Sequence, residues 1–289
     1  MEEQYELLPD DRKRQRRLRK GMYLLPSLFT AGNIALGFYA ILQTLQGSAE
    51  ASWHFDNAAK AIGFAILFDG LDGRIARMTN TVSSFGRELD SLADVIAFGV
   101  APAILAWMWG FRALPPIGDV ELRAQVIQLG AFATFIFLMT GAARLARFNI
   151  QTNPQPSNPG RPGKKYFVGL PIPAGAGVVA AVVHLNRGEP LQYWYFSIGW
   201  SVFVFAIAFL MVSTWRFYSF KDLNLGRPQN FRWIIAMGLM IGLIWFSSQY
   251  VLFAIAMLYI LSGVLARLSF VFRRPSVPPS PPQDEASRA

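Results

Sequence analysis

The stretch "DGLDGRIARMTNTVSSFGRELDSLAD" runs from Asp69 to Asp94. It places four aspartates, Asp69, Asp72, Asp90 and Asp94, at the facing ends of two apolar segments. An ionised aspartate at the centre of a membrane helix costs about 2.5–3.5 kcal/mol on insertion scales. Acids in such surroundings therefore point to function before structure. The rest of the chain says that the surroundings are a bilayer. Of 289 residues, 53% are hydrophobic and only 16% charged, with 24 Phe and 8 Trp. That is too apolar for an ordinary soluble domain of this length.

Working outward, apolar segments at 24–45, 57–77, 91–110, 126–147, 171–186, 194–214, 231–247 and 250–269 predict eight transmembrane helices. Pro171 and Pro173 open the fifth, a position where a missing N–H has no intrahelical acceptor. The last two are separated only around Ser248, which predicts a tight helical hairpin. Residues 1–22 are polar and end in the basic cluster "RKRQRRLRK", too long and too basic for a signal-peptide start. The tail from 271 to 289 is rich in proline and polar residues, a composition that does not fold. The expected organisation is a basic N-terminal segment (1–22), one membrane domain (23–270) and a disordered tail (271–289). The fold class is all-α, a polytopic helical bundle.

With both termini in the cytoplasm, every Lys and Arg of the 27 except Lys60, Arg112, Arg123 and Arg187 falls on the cytoplasmic side. That asymmetry is what the positive-inside rule expects, and it needs an even number of spans. The four aspartates then lie at the cytoplasmic membrane surface, where the second span leaves and the third re-enters. The net charge of +9 is read as cations held against anionic headgroups, since no nucleic-acid-binding motif is present. The absence of cysteine excludes thiolate catalysis and Cys-based metal sites, and His54 and His184 form no ligand cluster in sequence. The stretch "GRPGKK" is not a phosphate-binding loop, because the first glycine of that pattern falls on Asn158.

At 100° per residue, Asp69, Asp72, Gly73 and Ala76 share a sector of about 100° on one helix, bordered by Arg77. Asp90 and Asp94, four apart, stack on one face of the next. Two antiparallel helices joined by a short loop can aim both pairs at each other. Four close carboxylates repel and stay ionised only beside cations. Oxygen ligands without His or Cys select Mg²⁺, Mn²⁺ or Ca²⁺, and two such ions form the clamp used for displacement at phosphorus. Gly73, Ala76 and Gly86 leave room for a ligand to approach backbone, and Arg77 can neutralise phosphate oxygens. Small residues at these positions also suit close helix packing. Asp90, near a helix start, suits a cap, but caps do not explain Asp69 and Asp72 deep in an apolar segment.

The pattern Asp69, Asp72, Gly73, Ala76, Arg77, eight residues, Gly86, Asp90, Asp94 resembles the signature of the CDP-alcohol phosphotransferases at every position. The resemblance implies that an alcohol attacks the β-phosphorus of a CDP-linked lipid and that CMP leaves. It implies two divalent ions, Mg²⁺ or Mn²⁺, held by Asp69, Asp72, Asp90 and Asp94, with Asp94 as general base. It further implies that Gly73, Ala76, Arg77 and Gly86 contact the nucleotide and its diphosphate.

Four further segments, "LPSLFTAGNIALGFYAI", "ARLARFNIQ", "FVGLPIPAGAG" and "SFKDLNL", look like the integral-membrane phosphatidylserine synthase branch, so the resemblance covers about residues 22–270. Thr30 and Asn33 join the nucleotide side on this reading. One departure is Pro26-Ser27, where members commonly carry Pro-Asn; Ser27 or Asn33 then takes that part. The resemblance also implies a homodimer in the inner cell membrane.

A serine acceptor needs a cation for its carboxylate. Arg144, Arg147 and Asn149 lie at the cytoplasmic end of the fourth span, and arginine offers a bidentate fork. Lys164, Lys165 and Lys221 are alternatives on neighbouring loops, although positive-inside residues need no further role. The expected reaction is phosphatidyl transfer from CDP-diacylglycerol to L-serine. Choline, glycerol-3-phosphate or an inositol phosphate are rival acceptors; Phe148, Tyr166 and Phe167 offer an aromatic cage for choline. A cation transporter is the rival from another class.

Overall fold

The computed structural model describes residues 9–78, 84–150, 166–218 and 231–272, with side chains described for all of these except 9–27, 72, 75–78, 84, 166, 231–234 and 270–272. Helix α1 (Pro9–Gln46) is followed by α2 (Trp53–Met78) and α3 (Ser84–Asp94). A π-helical segment (Val95–Val100), α4 (Ala101–Trp107) and a second π segment (Met108–Arg112) continue α3 into one long rod. Then come α5 (Val120–Ile150), α6 (Ile172–Leu185), α7 (Trp194–Val212) and α8 (Phe231–Phe272).

Each of the eight apolar segments falls on helix. Five runs, Leu28–Gln46, Phe85–Arg112, Val120–Ile150, Trp194–Val212 and Ile235–Ser269, are long and apolar enough to cross a bilayer, and Ile172–Leu185 is a shorter apolar helix. The chain is a polytopic membrane helical protein. Helix α2 is helical where expected but carries Lys60, Asp69, Asp72, Arg74 and Arg77, which lower its hydropathy. Helix α1 begins at Pro9, so the basic segment continues the first span as helix rather than ending before it. Helix α8 leaves helical geometry at Ser247 (φ −145°, ψ 44°), one residue from the turn expected at Ser248.

The all-α architecture carries one short strand pair. Strands β1 (Tyr166–Val168) and β2 (Arg216–Tyr218) pair antiparallel, with Phe167 opposite Phe217. Aromatic and β-branched residues favour this geometry. Pairing also satisfies backbone groups that no helix serves. Gly169 follows β1 with φ +75° and passes close to the carbonyl oxygens of Met211 and Ser213, where a side chain would collide.

Helix α1 packs along α2 and touches α3 and the first π segment; α5 packs on α7, α2 on α6, and α6 on α8. Lipid tails are as apolar as leucine, so close van der Waals packing, rather than water exclusion, must hold these helices together. The interfaces are accordingly rich in small residues: Ala58, Ala61 and Ala65 on α2, and Ala93, Ala97 and Ala101 along the α3–α4 rod, are all buried. Gly37 of α1 lies so close to Ala97 that a Cβ there would stand 2.8 Å from the Ala97 Cα. This contact sets α1 against the helix that carries Asp90 and Asp94.

Candidate active site

The C-terminal half of α2 carries Asp69, Asp72 and Gly73, and α3 carries Gly86, Asp90 and Asp94. The two helices meet with Asp69, Asp90 and Asp94 each offering a carboxylate oxygen, all within 4.8 Å of one another. The i, i+4 spacing of Asp90 and Asp94 aligns them on one face. A π-helical turn begins at Val95, directly after Asp94; such turns re-aim the side chains around them and recur at functional sites. All three aspartates are half-buried.

Hard oxygen donors at this spacing suit a divalent cation of the Mg²⁺ or Mn²⁺ type. The chain itself offers a test of that fit. The Oδ1 atom of Asp90 is buried and accepts no hydrogen bond. A buried carboxylate oxygen without a donor is costly, and a bound cation removes that cost. On α1, Asn33 is fully buried, and neither its Nδ2 nor its Oδ1 finds a hydrogen-bond partner. Thr30, one turn earlier, is also buried. Beside α2 the space at Gly73 is open: a Cβ there would meet nothing within 4 Å.

On the other flank, α5 brings Arg144, Arg147 and Asn149 to the level of α3. Asn149 Nδ2 donates to Ser91 Oγ at 2.9 Å, between Asp90 and Asp94 in sequence. Arg144 is buried (9% exposed), interacts electrostatically with Asp94 and Tyr259, and leaves its Nε without an acceptor. Its guanidinium carbon stands 5.9 Å from the Phe148 ring centroid and 6.0 Å from that of Phe167. Arg147 occupies the last turn of α5.

The structure thus brings together Asp69, Asp90, Asp94, Arg144 and Asn149, and leaves open space at Gly73. Gly86 lies on the first turn of α3 and is half-buried. The side chains of Ser27, Asp72, Ala76, Arg77 and Tyr166, and the whole of Lys164, Lys165 and Lys221, lie outside the described residues. Sequence reading did not single out Ser91, which sits at an unspecified position of the motif. It also missed Phe217 and Tyr259, which lie far along the chain and carry no local signal.

A profile of the CDP-alcohol phosphatidyltransferase family matches residues 23–212. A Helicobacter pylori protein named CDP-diacylglycerol–serine O-phosphatidyltransferase is 34% identical over 84% of this chain and 91% of its own length. A Bacillus subtilis protein of the same name is 31% identical over 73% of this chain and 99% of its own. An archaetidylserine synthase of Methanothermobacter thermautotrophicus is 33% identical over 66% of this chain and 67% of its own. With its aspartate pocket on the second and third helices and its membrane-spanning architecture, the chain belongs to the CDP-alcohol phosphatidyltransferase family, transferases of phospholipid synthesis.

Proposed function

We propose that this enzyme transfers the phosphatidyl group of CDP-diacylglycerol to the hydroxyl of L-serine, giving phosphatidylserine and CMP. The observation that carries this reading is the juxtaposition of Asp69, Asp90 and Asp94 with the buried cation Arg144 beside Asp94. The names of the relatives support serine as the acceptor.

Asp69, Asp72, Asp90 and Asp94 would hold two divalent ions, Mg²⁺ or Mn²⁺. When bound, these ions neutralise the diphosphate and make its phosphorus a better electrophile. Asp94 accepts the proton of the serine hydroxyl as its oxygen forms the new O–P bond, and the pyrophosphate O–P bond breaks with its electron pair leaving on CMP. Thr30, Asn33, Gly73, Ala76, Arg77 and Gly86 line the nucleotide side. Arg144, Arg147 and Asn149 take the serine, with Arg144 receiving the carboxylate.

Choline fits less well. Phe148 and Phe167, two rings of its would-be cage, already flank the Arg144 guanidinium, and a fixed cation repels a quaternary ammonium.

The distribution of Lys and Arg supports eight spans with both termini in the cytoplasm of a multi-pass inner-membrane protein, the pocket opening on the cytoplasmic face. There both the lipid and the water-soluble substrate have access. A basic segment at 1–22, a membrane domain at 23–270, a disordered tail and a homodimer complete the reading.

Purified enzyme given CDP-diacylglycerol, Mg²⁺ or Mn²⁺, and each acceptor in turn tests it. CMP release is expected with serine; release with choline, glycerol-3-phosphate or an inositol phosphate but not with serine would overturn it.

A further inference from the structure

The family profile ends at residue 212, yet the chain beyond it reaches back to the site. Strand β2 and helix α8 both lie past that point. Phe217 on β2 is fully buried and faces Phe167 across the ribbon. Its ring lies 5.8 Å from that of Tyr259 on α8, and the Tyr259 hydroxyl donates to the Tyr218 carbonyl at 3.2 Å. One turn further along α8, Gly263 leaves the space that the Phe217 ring fills: a Cβ there would stand 2.3 Å from Phe217 Cε1. The ribbon is therefore seated on α8 by a tilted ring contact, a hydrogen bond and a close approach. Its opposite strand presents Phe167 to the Arg144 guanidinium. Arg144 is long and flexible by nature, but here it is buried with one N–H unspent.

We propose that α8, acting through the β1–β2 ribbon, positions Arg144 to receive the acceptor's carboxylate, so that Tyr259 and Phe217 are positioning residues that set acceptor affinity. This rests on the serine reading above. Arg144 touches the substrate; Tyr259 and Phe217 act through it. The same unspent N–H suits a phosphate oxygen of the CDP-lipid, and the two sources separate by which substrate loses affinity. Rings matter because a planar guanidinium stacks on aromatic faces. If Phe167 retreats, the fork loses its fixed orientation while the aspartates stay in place.

The test uses the full chain in detergent or nanodiscs, measuring CMP release at saturating Mn²⁺ for Tyr259→Phe, Tyr259→Leu and Phe217→Leu. The two leucine variants should raise the serine KM about tenfold, with the CDP-diacylglycerol KM unchanged and kcat nearly so. Tyr259→Phe keeps the ring and should stay within about threefold of the parent. Phe217→Leu perturbs the ring contact from the strand side, so the outcome does not depend on one variant of α8 folding. A serine KM that stays put in both leucine variants overturns the proposal. So does a rise confined to the CDP-diacylglycerol KM, or shared equally by both substrates. Equal losses in Tyr259→Phe and Tyr259→Leu overturn it too. Failure of the serine reading itself shows earlier, as no CMP release from the parent enzyme with serine.

Discussion

Asn149 on α5 donates to Ser91 on α3 at 2.9 Å, and Ser91 in turn donates to the Arg87 carbonyl at 3.0 Å. Helix α5 is thereby tied to α3 at a point between Asp90 and Asp94. Two roles for Asn149 give different outcomes. If it only ties the helices, Ser91→Ala and Asn149→Ala should each cost about 0.5–1.5 kcal/mol, or up to about tenfold in rate. If its amide also meets serine, Asn149→Ala should raise the serine KM several-fold more than Ser91→Ala does. The second outcome is expected. Parallel kinetics on the two variants and the double variant decide it, because coupled residues show non-additive losses.

Metal dependence follows from the donor set. Stripping divalent ions with a chelator should abolish CMP release, and Mg²⁺ or Mn²⁺ should restore it. A second readout does not need turnover. An ion that binds only the folded protein stabilises it by about 2.7 kcal/mol at one hundred times its Kd. Mn²⁺ should therefore raise the melting temperature of the parent enzyme, and Asp90→Asn should remove most of that rise. Asp94→Asn should lower turnover by about 10²–10⁴, the usual contribution of a positioned base. Full activity of Asp94→Asn in metal-replete buffer would remove Asp94 from the chemistry.

Asn33 gives a prediction with two opposite signs. An amide that is fully buried with neither polar atom bonded costs the folded protein about 1–3 kcal/mol. Leucine is close in volume and carries no polar atoms. Asn33→Leu should therefore raise the thermal midpoint while lowering activity through a weaker CDP-diacylglycerol KM. Function that requires a strained or unsatisfied group trades against stability in this way. A variant that is both less stable and fully active would show that Asn33 is a packing residue.

The helices were legible because membrane spans announce themselves by length and apolarity: the apolar segments fell on helix, five runs of it long enough to cross a bilayer, and α8 leaves helical geometry at Ser247, beside Ser248. Asp69, Asp90 and Asp94 were legible for a different reason: an i, i+4 pair and a short connection constrain where the side chains can go. What could not be read is whatever depends on contacts between distant parts of the chain. The ribbon pairs Tyr166–Val168 with Arg216–Tyr218, two three-residue strands too short to show any periodicity. Tyr259 reads as one aromatic among many in an apolar helix, and its contacts with Phe217, Tyr218 and Arg144 set it apart. Gly37 looks like any glycine of a membrane span until Ala97 is seen against it. In sequence, Arg147 beside Asn149 stood out more than Arg144; burial and the nearby Phe148 and Phe167 rings bring Arg144 forward.

The far end of the bundle holds a second polar cluster. Asp56, which precedes the apolar stretch of α2, accepts a hydrogen bond from His184 Nδ1 on α6 and an ion pair from Lys60 Nζ at 2.7 Å. His184 Nε2 shares a hydrogen bond of 2.9 Å with Ser248 Oγ, beside the break in α8. Three helices are thus joined through one buried imidazole. Burial pushes the Asp56 carboxyl up, but the hydrogen bonds and charges of His184 and Lys60 outweigh it and hold the group below the ordinary carboxylate range. A depressed carboxyl stabilises the fold fully above its unfolded value of about 3.9, and that stabilisation is lost as pH falls through the lower folded value. Asp56→Asn should therefore lower stability by about 1.5–3 kcal/mol at neutral pH, the range for hydrogen bonds to charged groups. Its melting temperature should begin to approach that of the parent below about pH 4 and meet it only as pH falls through the lower folded value, where the parent carboxyl also becomes neutral. Thermal melts of both proteins across pH 3–8 in one detergent check this, and a difference that widens on acidification would show that Asp56 is not the group holding the three helices.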